Sequence, residues 1–390
     1  MDRSLSTAHL PSPPRESPTP EVSIIVPARN EEASLGACLE SLTVQTGVAF
    51  EIIVIDDAST DRTSEIAKSF AGVQVLSAAL LSKDAAWKKN WTGKNNAMIA
   101  GAHEARAPWL LFTDADTVHR PGSLARALAE AKEEQADLLS YSPEQVVVTL
   151  AERAVMPVIF AELAAHYPPH KVRDQGSSER SSSDQSSSTV AANGQYLLVH
   201  RAAYDSVGGH AAVATEILED MALARRFRDA RHRVYFRYGG DAVRTRMYRN
   251  WAQLREGWTK NLALLFPHPG FLAFQSLFWW CAAWAALGVA VSAAVREHWA
   301  WISLILFWLL VYRRIRAAHF ATVSNLLAIT VGMPMFAYLL LLSRKAHQSG
   351  RVSWKGRTYC VATPDARTHG KAQTKRAVPP VENQGLRAKC

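Results

Sequence analysis

The sequence predicts an α/β protein built on a mainly parallel sheet, followed by transmembrane or interfacial helices. Three observations carry this. Short β-branched runs, beginning with VSIIV at residues 22–26, alternate with helical apolar patterns through the first part of the chain. Two acidic pairs, Asp56 with Asp57 and Asp114 with Asp116, stand where two of those runs end. The long apolar stretches gather after residue 270.

Taken in order, residues 1–20 are dominated by Pro and Ser and are expected to be a disordered leader. The run at 22–26 reads as a buried strand, and Leu35, Leu39 and Leu42 give residues 32–42 a helical face. Residues 51–55 form a second buried strand. Ser59 and Thr60 precede a helix over 63–70, and 72–76 is a third strand. An Ala-rich helix over 94–105 leads to a strand at 109–112, which runs into Thr113-Asp114-Ala115-Asp116. Pro121 opens a helix to residue 135, a favourable place for proline. Strands are expected at 138–141 and 196–199, and a helix at 219–228. Residues 150–170 read as a helix lying along a membrane, and the Ser-rich stretch 174–189 as a flexible loop. Strands alternating with helices give a sheet covered on both faces, and in open sheets of this kind ligands bind beyond the carboxyl ends of the strands. Both acidic pairs fall at such ends.

Residues 271–295 carry no charge and are long enough to span a bilayer. Residues 299–312 are marginal for spanning, and 317–343 are long enough but interrupted by Gly332 and Pro334. Arg313, Arg314 and Arg316 form one basic cluster and Arg344 with Lys345 another. Both belong on the cytosolic side by the positive-inside rule, which requires an even number of crossings. A buried helical subdomain is the alternative. The expected organisation is therefore a leader (1–20), a large α/β domain (21–265), membrane helices (266–345) and a basic cytosolic tail (346–390).

The net charge of +9 fits anionic lipid or phosphorylated ligands. The basic clusters flank apolar segments, and no nucleic-acid-binding signature is present, so a membrane surface is expected and nucleic acid is not. Cys38, Cys281, Cys360 and Cys390 form no CxxC pair and are expected to be free thiols. No apolar core suited to a signal peptide opens the sequence, so the large domain is expected in the cytosol.

Asp114 and Asp116 place two carboxylates at one strand end. Beside a diphosphate they need a hard divalent cation, Mg²⁺ or Mn²⁺. VSIIVPARNEEASL (22–35), EIIVIDDASTDRT (51–63), GKNNA (93–97), LLFTDAD (110–116) and LEDMALARRF (218–227) together resemble family 2 glycosyltransferases in order and spacing. That resemblance covers residues 21–265 and implies a GT-A fold and inverting, metal-dependent transfer from a nucleotide-sugar, with UDP-glucose the expected donor. It implies donor contacts from Pro27, Ala28, Arg29 and Asn30, with Glu32 following. It implies that Asp57, with Asp56 beside it, accepts a hydrogen bond from the base. One of these acids capping the next turn is the alternative. Lys94 would reach the phosphates as a point charge unless it is simply a solvated lysine. Asp114 would lie near the ribose and donor sugar, and Asp116 would hold the metal. Asp220 matches the catalytic base, with Glu219 near the acceptor, although both also suit an ordinary helix first turn. Arg246, Arg249 and Trp251 resemble the segment that closes over diphosphate and acceptor, and a basic face over lipid is the alternative for the arginines. The QxxRW spacing of processive synthases is replaced by Gln253-Leu254-Arg255-Glu256-Gly257-Trp258, which argues against polymer synthesis. His119 would approach the metal or pack in the turn.

ANGQYLLVHRAAYDSVGGH (192–210), MYRNWAQLREGWTKNL (247–262) and WKGRTY (354–359) resemble the branch of the family linked to hopanoid and carotenoid glycosylation. This implies a lipophilic acceptor and a tail that returns to the cytosolic domain. An N-terminal membrane helix of some relatives is missing and the Ser-rich loop is longer. A glycan acceptor and a non-catalytic nucleotide-sugar-binding scaffold remain as alternatives.

Overall fold

The computed structural model describes residues 19–78, 91–168, 190–294 and 300–360. Most of the expected leader, the Ser-rich loop and residues 361–390 of the tail lie outside the described residues. In chain order the strands of the first domain are β1 (Val22–Ala28), β2 (Phe50–Asp56), β3 (Val73–Ser77), β4 (Trp109–Thr113), β5 (Thr117–His119), β6 (Leu138–Ser142), β7 (Glu144–Gln145), β8 (Tyr196–His200), β9 (Val234–Tyr238) and β10 (Val243–Thr245). Its helices are α1 (Leu35–Thr43), α2 (Thr63–Lys68), α3 (Gly93–Glu104), α4 (Ser123–Glu133), α5 (Leu150–His166), α6 (Arg201–Ser206), α7 (Glu219–Asp229) and α8 (Trp251–Leu265).

The main sheet runs β3-β2-β1-β4-β8-β6-β9. Only β8 is antiparallel to its neighbours in this sheet, so the expectation of a mainly parallel sheet holds. The near-continuous apolar runs follow from burial on both faces. Val22, Ile24, Val26 and Val54 pack with Leu35 and Leu39 of α1 and Leu124 and Leu128 of α4. Ile25, Ile53, Leu110 and Phe112 pack with Met98 of α3 and Leu223 and Phe227 of α7 on the other side. Each such side chain contributes about 1.5–3 kcal/mol on leaving water. A smaller sheet, β5-β10-β7, crosses the carboxyl end of the main one. These three short strands and β9 were not among the expected elements.

The expected helix over 150–170 forms as α5, started by a capping box in which Thr149 and Glu152 satisfy one another's backbone N–H groups. Its position differs from the expectation. Val155, Met156 and Ile159 are covered by Trp258 and Leu262 of α8 and by Ile329, Phe336 and Leu340 from the C-terminal helices, so α5 is packed within the chain. Those helices are α9 (Pro269–Ala294), α10 (Ala300–Arg316), α11 (Thr322–Leu327) and α12 (Met333–Gln348), the last two joined by a π turn at Ala328–Gly332. That turn is the expected interruption near Gly332 and Pro334, and the helical path runs through it. Pro269–Ser292 (24 residues) and Thr322–Gln348 (27 residues) are long and apolar enough to cross a membrane. Phe271, Phe274, Phe278, Ile305, Leu306 and Leu310 are exposed, an apolar surface of the kind that lipid covers. A hairpin, β11 (Arg351–Trp354) and β12 (Arg357–Cys360), ends the described chain.

Candidate active site

Strand direction places the acidic pairs. β1, β2 and β4 run parallel, so the loops after Ala28, Asp56 and Thr113 emerge at one edge of the sheet. The N-terminal ends of α3 and α7 arrive at the same edge. A cleft of about 760 Å³ opens there, lined by Pro27, Ala28, Arg29, Asn30, Asp57, Lys94, Asp114, Asp116, Glu219, Asp220, Arg246 and Arg249. Three expected site residues are not in its lining. Asp56 turns its carboxylate to the Ser59 N–H (3.2 Å), the capping alternative noted above. Glu32 accepts from the Arg62 N–H (3.3 Å) at the start of α2, because the loop presents its neighbour Glu31 to the cleft instead. Trp251 stacks on Tyr338 of α12 (centroids 6.5 Å apart) and is part of the helix packing.

Arg29 donates to the carbonyls of Asp57 (2.6 Å) and Ala58 (3.2 Å), which ties the β1 loop to the β2 loop. Asn30 lies at positive φ and accepts from the Thr60 N–H (2.9 Å). Arg249 donates to the Ala33 carbonyl (2.6 Å), and Arg246 lies 3.5 Å from buried Glu152. Lys94 sits between Asp114 and Glu219, 2.8 Å from each. It is a cleft residue with two carboxylate partners, which removes the solvated-lysine alternative.

The Asp114 to Asp116 turn is supported from behind. Thr113, Thr117 and His119 form a buried hydrogen-bonded cluster, with His119 Nε2 3.1 Å from Thr113 Oγ1 and 3.2 Å from Thr117 Oγ1. Burial lowers the His119 pKa to about 3, so the ring is neutral and packs in the turn. Asp116 Oδ1 is buried and takes no hydrogen bond. Burial, with the nearby charges of Asp114 and Glu31, raises the Asp116 carboxyl to about 8. An orphaned carboxylate oxygen beside a second acid fits a divalent cation. Among the described residues no three or more His, Cys, Asp or Glu side chains form a metal cage. The donor set therefore fits a cation that takes one or two carboxylates and completes its shell with phosphate and water oxygens, as Mg²⁺ and Mn²⁺ do.

Asp220 lies in the first turn of α7. Its Oδ2 accepts from the Gly194 N–H (2.8 Å) and its Oδ1 from the Met221 N–H (2.7 Å). Burial and the adjacent Glu219 raise its pKa to about 6. Burial works against ionisation of Glu219 too, but the Lys94 ammonium outweighs it and the net direction is down. The two neighbouring carboxyls are thus driven apart, one held ionised and one set near neutrality.

Sequence reasoning missed several lining groups. Lys260 of α8 lies 5.0 Å over the Trp354 ring, and Trp354, Lys355 and Arg357 of the terminal hairpin line the cleft. The WKGRTY string was the available signal for the last three. At its far end the cleft is lined by Phe160, Leu163, Tyr167, Phe236 and Phe320, together with a Tyr238–His319 stack (centroids 4.4 Å apart). This apolar arm lies between α5 and the connection from α10 to α11.

An α/β domain with a mainly parallel sheet and an acid-lined cleft at the strand ends is a GT-A-like fold. Residues 23–176 match the model of the family described as glycosyl transferase family 2. It is 28% identical over 355 residues to a 4,4'-diaponeurosporenoate glycosyltransferase of Staphylococcus aureus strain MRSA252, a match covering 87% of this chain and 88% of that one. The counterpart from the bovine strain RF122 is 27% identical over 355 residues, with the same coverage of both chains. Among solved structures, a mannosyltransferase from Pyrobaculum calidifontis in complex with GDP-Man and Mn²⁺ aligns with a TM-score of 0.46 at 16% identity, covering 84% of this chain and 86% of that one.

Proposed function

We propose that this protein is an inverting glycosyltransferase that moves a sugar from a UDP-sugar, UDP-glucose first among them, to a carotenoid-type or other polyisoprenoid lipid at the cytosolic face of a membrane. One observation carries the reading: Asp220, the Asp114/Asp116 pair and an apolar aromatic arm share a single cleft that abuts the membrane-type helices. The low-identity relatives, whose names specify a carotenoid-type acceptor, support the same acceptor class.

In this reading Asp220 accepts the proton of the acceptor hydroxyl or carboxyl as that oxygen attacks the anomeric carbon, and the bond from that carbon to the diphosphate oxygen breaks. The two backbone N–H groups on Asp220 fix the carboxylate in place. Asp116 and Asp114 would hold a Mg²⁺ or Mn²⁺ ion, which supplies charge stabilisation at the diphosphate leaving group. Lys94 adds a point charge beside them. The phenyl rings of Phe160 and Phe320 and the Tyr238–His319 stack hold the polyene while its polar end faces Asp220.

Two features support the cytosolic orientation in this reading. α8 and the hairpin after residue 350 line the same cleft, so the helices between them cross an even number of times or lie within one leaflet. Arg314 pairs with Glu162 of α5 at 2.8 Å, which keeps that basic cluster on the side of the first domain. The test is transfer of label from UDP-glucose, in the presence of Mn²⁺, to lipid extract containing carotenoid acids. Label in the organic phase that Asp220→Asn abolishes is the expected result. Label only in a water-soluble glycan would replace the acceptor class, and no transfer from any nucleotide-sugar would remove the enzyme reading.

A further inference from the structure

The terminal hairpin reaches back across the whole chain to the loops that follow β1 and β2. Arg357 forks onto Asp57, with Nη1 2.5 Å from Oδ2 and Nη2 3.2 Å from Oδ1, a pair separated by 300 positions in sequence. Lys355 occupies the hairpin tip, at positive φ ahead of Gly356, and its ammonium lies 2.5 Å from Glu31 Oε1 and 3.1 Å from the Arg29 carbonyl. Trp354 completes the wall, with Lys260 over its ring. The opposite side of the cleft makes room for this. A Cβ on Gly93, the first residue of α3, would occupy the place of the Arg357 guanidinium and the Asp57 carboxylate. The fork, the tip and the glycine recess are three separate fittings between the hairpin and the loops expected to hold a nucleotide.

We propose that the hairpin is the outer wall of the donor site, and that Arg357 and Lys355 are donor-binding residues. This rests on the nucleotide-sugar reading above and extends it to a part of the chain that lies outside the matched family domain. A carboxylate alone offers a nucleobase only an acceptor. A guanidinium locked against it sets N–H donors beside that acceptor, so the pair matches a base edge in which a ring N–H adjoins a carbonyl. Lys355 brings an ammonium, held by Glu31 and the Arg29 carbonyl, to the loop side of the cleft, where it would face the charge of a diphosphate. The Asp57–Arg357 pair is one third or less exposed on both sides, so its geometry is held when the cleft is open.

The experiment is equilibrium binding of UDP, with Mn²⁺, to the full-length detergent-solubilised protein, comparing wild type with Arg357→Ala, Lys355→Gln and Gly93→Ala. The last variant keeps every charge and has a better helix former at the first position of α3, so loss of fold does not explain its phenotype. Weakening of UDP binding by tenfold or more in Arg357→Ala and Gly93→Ala, and severalfold in Lys355→Gln, is the expected result. Unchanged affinity in Arg357→Ala and Gly93→Ala overturns the assignment. Tighter binding overturns it too, since the hairpin would then be a plug that the donor must displace. A wild-type protein that binds neither UDP nor GDP removes the nucleotide reading itself, an outcome distinct from either of those.

Discussion

The Lys94 ammonium lies 2.8 Å from Glu219 Oε1, with the same distance to Asp114 on its other side. One cation thus joins the turn after β4 to the first turn of α7, and it does so next to Asp220. Glu219 is buried and has no other cation at ion-pair distance among the described residues. Lys94→Met should leave that carboxylate uncompensated. Removing one partner of a buried pair costs about 3–5 kcal/mol, and the lysine side chain is 36% exposed, so water offsets part of that. A loss of about 1–2 kcal/mol is expected, read as a lower midpoint in thermal melts. A melting curve that matches wild type would mean that the bridge contributes nothing to stability.

The second prediction concerns Asp220. A general base works only when ionised, and burial with the Glu219 charge sets its pKa at about 6. In the free enzyme kcat/KM should rise with pH through about 6, falling tenfold per unit below it. Asp220→Asn should lower kcat by about 10²–10⁴ while UDP affinity stays near wild type. A profile that is flat between pH 5 and 7 would assign the ascending limb, and the proton, to another group.

Much of this was legible because the sheet is built from local patterns. VSIIV, EIIVI and WLLFT are apolar at every position but one (Ser23, Glu51 and Thr113) since both faces are covered, and each announces its strand unaided. The acids at their ends follow from strand direction. The small sheet was not legible, because Val243–Thr245 and Glu144–Gln145 are too short to show a period and exist only through pairing. The loop register was misread by one residue: Glu31 faces the cleft and Glu32 the start of α2, a choice made by the positive φ of Asn30. Trp251 looked like a cleft residue beside Arg249, but helix α8 turns it toward Tyr338. Arg357 lies 300 positions from Asp57, and the WKGRTY string with the even crossing count pointed to the return of the tail but not to this pair.

The third prediction follows from the orphaned oxygen of Asp116. Its carboxyl is raised from an ordinary value of 3.8 to about 8. The folded chain therefore keeps a proton that the unfolded chain has lost, and the stability tied to this group is full below about pH 4 and lost as pH rises to about 8. In the proposed reading a divalent cation would take the place of that proton. With saturating UDP, Mn²⁺ should raise the melting temperature more at pH 8 than at pH 6, and Asp116→Asn should remove both the shift and its pH dependence. An equal shift at both pH values, or one that survives in Asp116→Asn, would place the cation elsewhere.

The fourth prediction separates helix packing from helix propensity. Gly332 closes the π turn between α11 and α12, where a Cβ would run into the Ala154 carbonyl of α5 and close against Val158. Gly288 of α9 faces open space, with nothing within 4 Å of the same position. Propensity alone favours alanine at both sites by about 1 kcal/mol. Gly288→Ala should therefore be neutral or slightly stabilising in detergent. Gly332→Ala should be destabilising by about 1–3 kcal/mol, because α5 must move away from the turn to admit one methyl group. α5 also carries Phe160 and Leu163 into the apolar arm of the cleft, so the displaced helix should raise KM for a lipid acceptor with little effect on UDP affinity. If both alanine variants gain stability alike, the tight crossing of α5 over the π turn is not what seats the arm beside the C-terminal helices.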